Sequence, residues 1–153
     1  MLSIHDMPGH LIRRLHQIST SVFADRVAEA GHDITPVQFA ALATIEANPG
    51  IDQATLAGLI AYDRVTIGGV VDRLEAKRLL ERAVSPRDRR ARVLELTPEG
   101  KALMAVLRPV VVALQDDILP GMTTKEKTEF LRLLAKTAAA GNSLSRAPLS
   151  LPE

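Results

Sequence analysis

Between Arg82 and Arg92 the sequence holds five arginines (Arg82, Arg87, Arg89, Arg90 and Arg92) against one acid, Asp88. Guanidinium groups at this density suit contact with phosphate oxygens, and a protruding arginine suits a narrow minor groove, where the potential is most negative. The run Ser85-Pro86-Arg87-Asp88-Arg89-Arg90 carries a proline that fits neither a helix interior nor a central strand. It reads as an exposed hairpin tip. The flanking segments, Leu79 to Val84 and Arg92 to Leu96, read as its two strands. Alone, a basic loop is usually a solvated surface, so the elements that position it decide its meaning.

Those elements precede it. Asp52 is placed to cap a short helix from Gln53 to Ile60, followed by a tight connection at Ala61-Tyr62. Asp63 is placed to cap a second helix from Arg64 to about Arg78, with Val65 or Ile67, then Val70, Val71 and Leu74, facing inward. Two short helices joined by a tight turn are the helix-turn-helix pattern, and the strand–tip–strand beside them is a wing. The second helix would be the reader. Arg64, Thr66, Gly68 and Gly69 lie in its first turns, with Arg73 further along. A glycine inside a helix costs about 1 kcal/mol against alanine. Close approach to a DNA backbone or base edge, or tight packing against another helix, could each offset that cost, and both readings stand.

Long amphipathic helices flank this unit. Pro8 opens the first, with Leu11, Leu15, Ile18 and Val22 as its apolar stripe, ending near Gly31. Thr35-Pro36-Val37-Gln38 starts the next with a capping box and a first-turn proline, and Asn48-Pro49-Gly50 ends it. Thr97-Pro98-Glu99 opens a long helix to about Leu119, with Pro109 inside it as either a kink or a fixed bend. Thr123-x-x-Glu126 is a capping box for a last helix containing Phe130, Leu131, Leu133 and Leu134. Residues 142–153 have no apolar period and read as a flexible tail. The expected architecture is mostly α with a small β-wing: a winged helix-turn-helix over 35–97, helices for dimerisation at 8–30, 97–119 and 123–140, and a single domain over 1–141.

Composition removes several classes of function. The 153 residues carry 19 Lys and Arg against 18 Asp and Glu, so coating of nucleic acid by bulk charge is excluded while a local basic patch is not. Absence of cysteine excludes a disulfide scaffold, a cysteine zinc site and a thiol nucleophile or sensor. No apolar run approaches membrane-spanning length and no signal peptide is visible, so no membrane partner and a cytoplasmic location are expected. There is no nucleophile elbow, no phosphate-binding glycine loop and no firm metal set, so neither an enzyme nor a cofactor is expected.

The segments Asp63-Arg64-Val65-Thr66-Ile67-Gly68-Gly69-Val70-Val71-Asp72-Arg73-Leu74-Glu75, Asp88-Arg89-Arg90 and Leu96-Thr97-Pro98-Glu99-Gly100 stand in this order and spacing. Together they resemble the multiple antibiotic resistance regulator (MarR) family, over roughly residues 8 to 140. The resemblance implies a homodimer that binds double-stranded DNA at a pseudo-palindromic operator, commonly as a repressor released by a small aromatic carboxylate or phenol. It implies that Arg90 enters the minor groove and that Asp88 orients the wing. The contact set it points to is Arg64, Thr66, Gly68, Gly69 and Arg73 on the helix, with Arg87, Asp88, Arg89 and Arg90 at the tip. Gly68 and Gly69 depart from the polar or basic side chains of many members, which points to fewer base-edge contacts.

One flank of the first helix adds a ligand candidate. At 100° per residue His10, Arg14, Gln17 and Ser21 share a side next to the apolar stripe. Within the resemblance this is a cleft between the dimerisation helices and the DNA lobe, where Arg14 would pair with a carboxylate. The plain alternative is an amphipathic boundary. His5, His10 and His16 cluster before and on the first helix, and Asp6 and His10 are spaced i, i+4 as a metal pair could be. Two ligands without a third firm partner do not specify a metal, and these read as surface or interface side chains. The rival to a DNA-binding regulator is a helical dimer serving as a protein-interaction module, which leaves the arginine-tipped hairpin unexplained.

Overall fold

The computed structural model describes residues 1–153. After a short 3₁₀ turn at Ile4–Asp6 the chain runs α1 (Pro8–Glu29), α2 (Pro36–Ala47), β1 (Ile51–Asp52), α3 (Gln53–Leu59), α4 (Ile67–Ala76), β2 (Leu80–Val84), β3 (Arg92–Leu96), α5 (Pro98–Ile118) and α6 (Thr124–Ala140). The fold is mainly helical with one small antiparallel sheet, as the periodicity predicts. No helix is long and apolar enough to cross a membrane.

The starts of the helices follow from their caps. Thr35 accepts the Gln38 amide while Gln38 returns a bond to the Thr35 amide, and Thr123 and Glu126 do the same at α6. Asp52 Oδ1 accepts the Thr55 amide at 2.7 Å and starts α3. These side chains satisfy amide donors that the first helical turn leaves unpaired. At Glu126 the Thr123 backbone bond, then the Thr123 hydroxyl, hold the carboxyl below its usual range.

The core is one cluster shared by the C-terminal part of α1 (Phe23, Val27), α2, α3, α4, the sheet and α5 from Met104 to Leu114. Leu42, Ile45, Leu56, Val71, Leu74, Leu94, Met104 and Leu107 are all fully enclosed. The sheet order is β1-β3-β2, with Leu80 opposite Leu96, Arg82 opposite Leu94 and Ile51 also opposite Leu94. β1 is a third strand beyond the expected two. At two residues it is too short to carry an alternating pattern, and it exists because β3 offers an edge.

One joint ties the reading unit to α5. Arg78 adopts left-handed backbone, φ 59°, as α4 ends. Its carbonyl accepts the Thr97 hydroxyl at 2.6 Å, and the Leu79 carbonyl accepts the Thr97 amide at 3.1 Å. Thr97 in turn accepts the Gly100 amide at 3.0 Å and caps α5. Gly100 packs directly on Leu79: a Cβ here would lie 2.0 Å from the Leu79 carbonyl oxygen.

Two boundaries differ from expectation. Helix α4 begins at Ile67, not Arg64; Asp63 Oδ1 accepts the Val65 amide at 2.6 Å and holds Arg64–Thr66 as a turn. Ile67 is therefore the inward residue, at 1% exposure, while Val65 is 90% exposed. Part of the segment expected to be a tail also makes specific bonds. Residues 142–144 form a 3₁₀ turn, Asn142 bonds the backbone of Leu149 in both directions, and the Ser150 amide donates to the Gly58 carbonyl at 2.9 Å. Asn and Ser supply local bonds that periodicity cannot register.

The Leu79–Gly100 approach gives a sharp expectation. Gly100→Ala forces backbone apart, and overpacking of this kind costs about 3 kcal/mol. Thermal unfolding should show a fall in Tm of about 10 °C, since 1 kcal/mol corresponds to roughly 2–4 °C at this chain length. An unchanged Tm would mean that the close approach is absent.

Candidate nucleic-acid interface

The wing tip is built by short-range bonds. Ser85 Oγ accepts the amides of Arg87 and Asp88 at 3.2 and 3.4 Å. Asp88 Oδ1 accepts the Arg90 amide at 2.9 Å, and its carbonyl accepts the Ala91 amide. The one acid of the basic run thus spends its carboxylate on turning the backbone at Arg90. Arg87, Arg89 and Arg90 are exposed, and none of them enters an ion pair within the chain. The guanidinium charge at the tip is uncompensated.

Arg82 behaves differently from its neighbours in sequence. It pairs with Asp72 at 2.7 Å and Glu75 at 3.3 Å on α4, and donates to Gln53 of α3 at 3.3 Å. It fixes the wing to both helices and is not a free cation. The sequence does carry a signal for this: Arg82 lies two residues from buried Leu80, on the same face of β2.

On the helical side, Arg64 and Thr66 are exposed in the turn before α4, and Thr66 Oγ1 donates to the Asp63 carbonyl at 3.3 Å. Arg73 is exposed on α4 and makes no ion pair. A Cβ on Gly68 would meet only the Gln53 side-chain amide at 3.4 Å, and one on Gly69 only the Arg73 guanidinium at 3.8 Å. Neither glycine lies against the backbone of another element, so helix packing within the chain does not explain them.

The four residues on the flank of α1 are only partly brought together. Arg14, Gln17 and Ser21, with Ile18 and Val22, line a hollow of about 330 Å³. His10 is not in it; its Nδ1 lies 3.3 Å from Arg13 and its ring stacks edge-on against His5. Every residue of the lining comes from α1, so within one chain the hollow has a single wall and no part of the DNA lobe lines it. Helical spacing sets which side chains share a flank, but it cannot say what faces them. No group of three or more His, Asp or Glu residues is placed to hold a metal ion.

A winged helix-turn-helix with an arginine-rich, uncompensated wing is the architecture of a DNA-binding transcription regulator. The comparisons agree. A model of the MarR family matches residues 32–91. The chain is 30% identical over 133 residues to the HTH-type transcriptional repressor NicR of Pseudomonas putida, covering 87% of this chain and 83% of that protein. Among solved structures it resembles BpsR of Bordetella bronchiseptica, whose DNA binding is regulated by 6-hydroxynicotinic acid. There the TM-score is 0.83 and the identity 27%, over 90% of this chain and 97% of the other. It is equally similar in shape to PcaV of Streptomyces coelicolor in complex with its natural ligand, with a TM-score of 0.83 and 32% identity over 92% and 98% of the two chains. The protein belongs to the MarR family of transcription regulators, and it is not an enzyme.

The open space at Gly69 is directly testable. Gly69→Ala should stabilise the free protein by about 1 kcal/mol through helix propensity, read as a rise in Tm of roughly 2–4 °C. A fall in Tm would place Gly69 against a packed surface.

Proposed function

We propose that this protein is a dimeric, cytoplasmic repressor that binds a pseudo-palindromic duplex and is released by a small aromatic carboxylate. The observation that carries the dimer is the uncovered apolar surface on the flanking helices. Nothing on α6 is buried within one chain, although Leu131, Leu133 and Leu134 are about half exposed. Leu11, Ile12, Leu15 and Ile18 on α1 are exposed by 37–59%. Such a surface exceeds what a soluble monomer ordinarily presents. The partner's matching helices cover it, and the twofold axis sets two α4 helices about one turn of DNA apart.

In this reading the turn Arg64–Thr66 and the start of α4 enter the major groove, with Gly68 and Gly69 allowing close approach. Arg73, Arg87 and Arg89 meet phosphates, and Arg90 enters the minor groove from a wing whose backbone Asp88 fixes. Charge without an internal partner supports each of these roles.

The effector assignment rests on Arg14. Its guanidinium has no partner in the chain and stands beside Ile18 and Val22, which offers a fork for a carboxylate and an apolar wall for a ring. The regulation of BpsR by 6-hydroxynicotinic acid supports that chemical class. The partner chain supplies the missing wall, because the hollow adjoins the apolar stripe of α1. Ligand releases DNA by binding better to a dimer whose two α4 helices no longer match the groove spacing. A tenfold loss of DNA affinity needs about 1.4 kcal/mol of coupling.

Two experiments test the reading. Arg90→Ala should weaken binding to all duplexes, most at A·T-rich minor grooves, and lower the salt slope by about 1 for each wing; unchanged affinity would remove the wing from the interface. Hydroxybenzoates, hydroxycinnamates and hydroxynicotinates should be titrated against wild type and Arg14→Ala. An active acid should lose affinity for the variant. Equal binding would exclude Arg14, and no effect of any acid on DNA affinity would exclude the ligand class.

A further inference from the structure

The C-terminal segment is held against the reading unit by a specific set of contacts. Asn142 receives the Leu149 amide at 2.8 Å and donates to the Leu149 carbonyl at 2.9 Å, which closes residues 142–149 into a hook. The Ser150 amide then donates to the Gly58 carbonyl at 2.9 Å. Gly58 lies in the last turn of α3, and its carbonyl also accepts the Ala61 amide at 3.3 Å, so the hook adds a second bond to the C-terminal end of that helix. The approach is close: a Cβ on Gly58 would sit 3.1 Å from Ser150 Cβ. Docking here sets the hook beside the turn into α4. Arg146 and Pro148 of the hook share one hollow of about 490 Å³ with Arg64 and Val65.

Arg146 is exposed and, like Arg64, makes no ion pair or side-chain hydrogen bond within the chain. Asp63 also lines the hollow, but one of its oxygens is taken by the Val65 amide. Two free guanidinium groups against one partly engaged carboxylate leave the hollow net positive, next to the residues that would enter the major groove. We propose that the hook is a third DNA-contacting element, in which Arg146 binds a backbone phosphate flanking the groove read by α4. The proposal rests on the DNA orientation given above. It adds to the helix and the wing a contact that comes from the far end of α6, so the footprint of each lobe is wider than the winged unit alone provides. A phosphate contact carries no sequence information, so Arg146 contributes affinity and not base preference.

The test measures the salt dependence of binding for the full-length protein on an operator fragment and on a random duplex. Arg146→Ala should lower the slope by about 0.9 per hook on both duplexes. Arg146→Lys should restore it, because a phosphate contact needs charge and not a fork. Arg90→Ala is measured in parallel. If Arg90→Ala lowers the slope and Arg146→Ala does not, the hook is not at the interface and the proposal fails alone. If neither variant changes the slope, the DNA orientation itself is wrong. A chain ending at Gly141 should bind DNA more weakly; tighter binding would overturn the proposal, because the segment would then be masking the reading turn.

Discussion

The Leu79 carbonyl is where the architecture is decided. It accepts the Thr97 amide, and the α-carbon of Gly100 rests against it with no room for a side chain. The same threonine closes the end of α4 through the Arg78 carbonyl and opens α5 by receiving the Gly100 amide. The end of the reading helix, the base of the wing and the start of the long helix therefore meet within a few residues. A joint made of backbone bonds and one glycine couples the start of α5 directly to the end of the reading helix. Arg82 makes a second link, from β2 to α3 and α4, which ties the base of the wing to the helix pair.

Much of this was legible in the sequence where the signal is local. Thr35 with Gln38, Thr123 with Glu126, and Asp52 announce helix starts because their chemistry acts within three residues. The alternation of β2 and β3 around Pro86 announces the wing. Asp63 resembles a cap in the sequence, but Thr66 is the N-cap of α4, and the Asp63 carboxylate organises the turn before the helix. The long-range relations were not legible. The Gly100 motif reads as a sequence signature, while its reason, a neighbouring carbonyl 21 residues earlier in the chain, needs the fold. β1 and the docked hook escape periodicity because each depends on an edge or a carbonyl supplied by another element.

The candidate site divides along the same line. The exposed wing arginines follow from composition on a loop, and Arg82 leaves that group only when its partners on α3 and α4 are known. On α1, helical geometry brings Arg14, Gln17 and Ser21 to one side, whereas His10 turns to Arg13 and His5. In the proposed dimer, the partner chain decides what faces that flank. The apolar stripe at the start of α1 and all of α6 are uncovered in the single chain, so in the proposed dimer the ligand hollow and the spacing of the two reading helices depend on the same association.

That association is the point on which the account stands. The mass of the protein should be measured by sedimentation at micromolar concentration, free and bound to an operator duplex. The account predicts about twice 16.5 kDa for the free protein and two chains per duplex in the complex. A free species of 16.5 kDa that binds DNA as a single chain would contradict it.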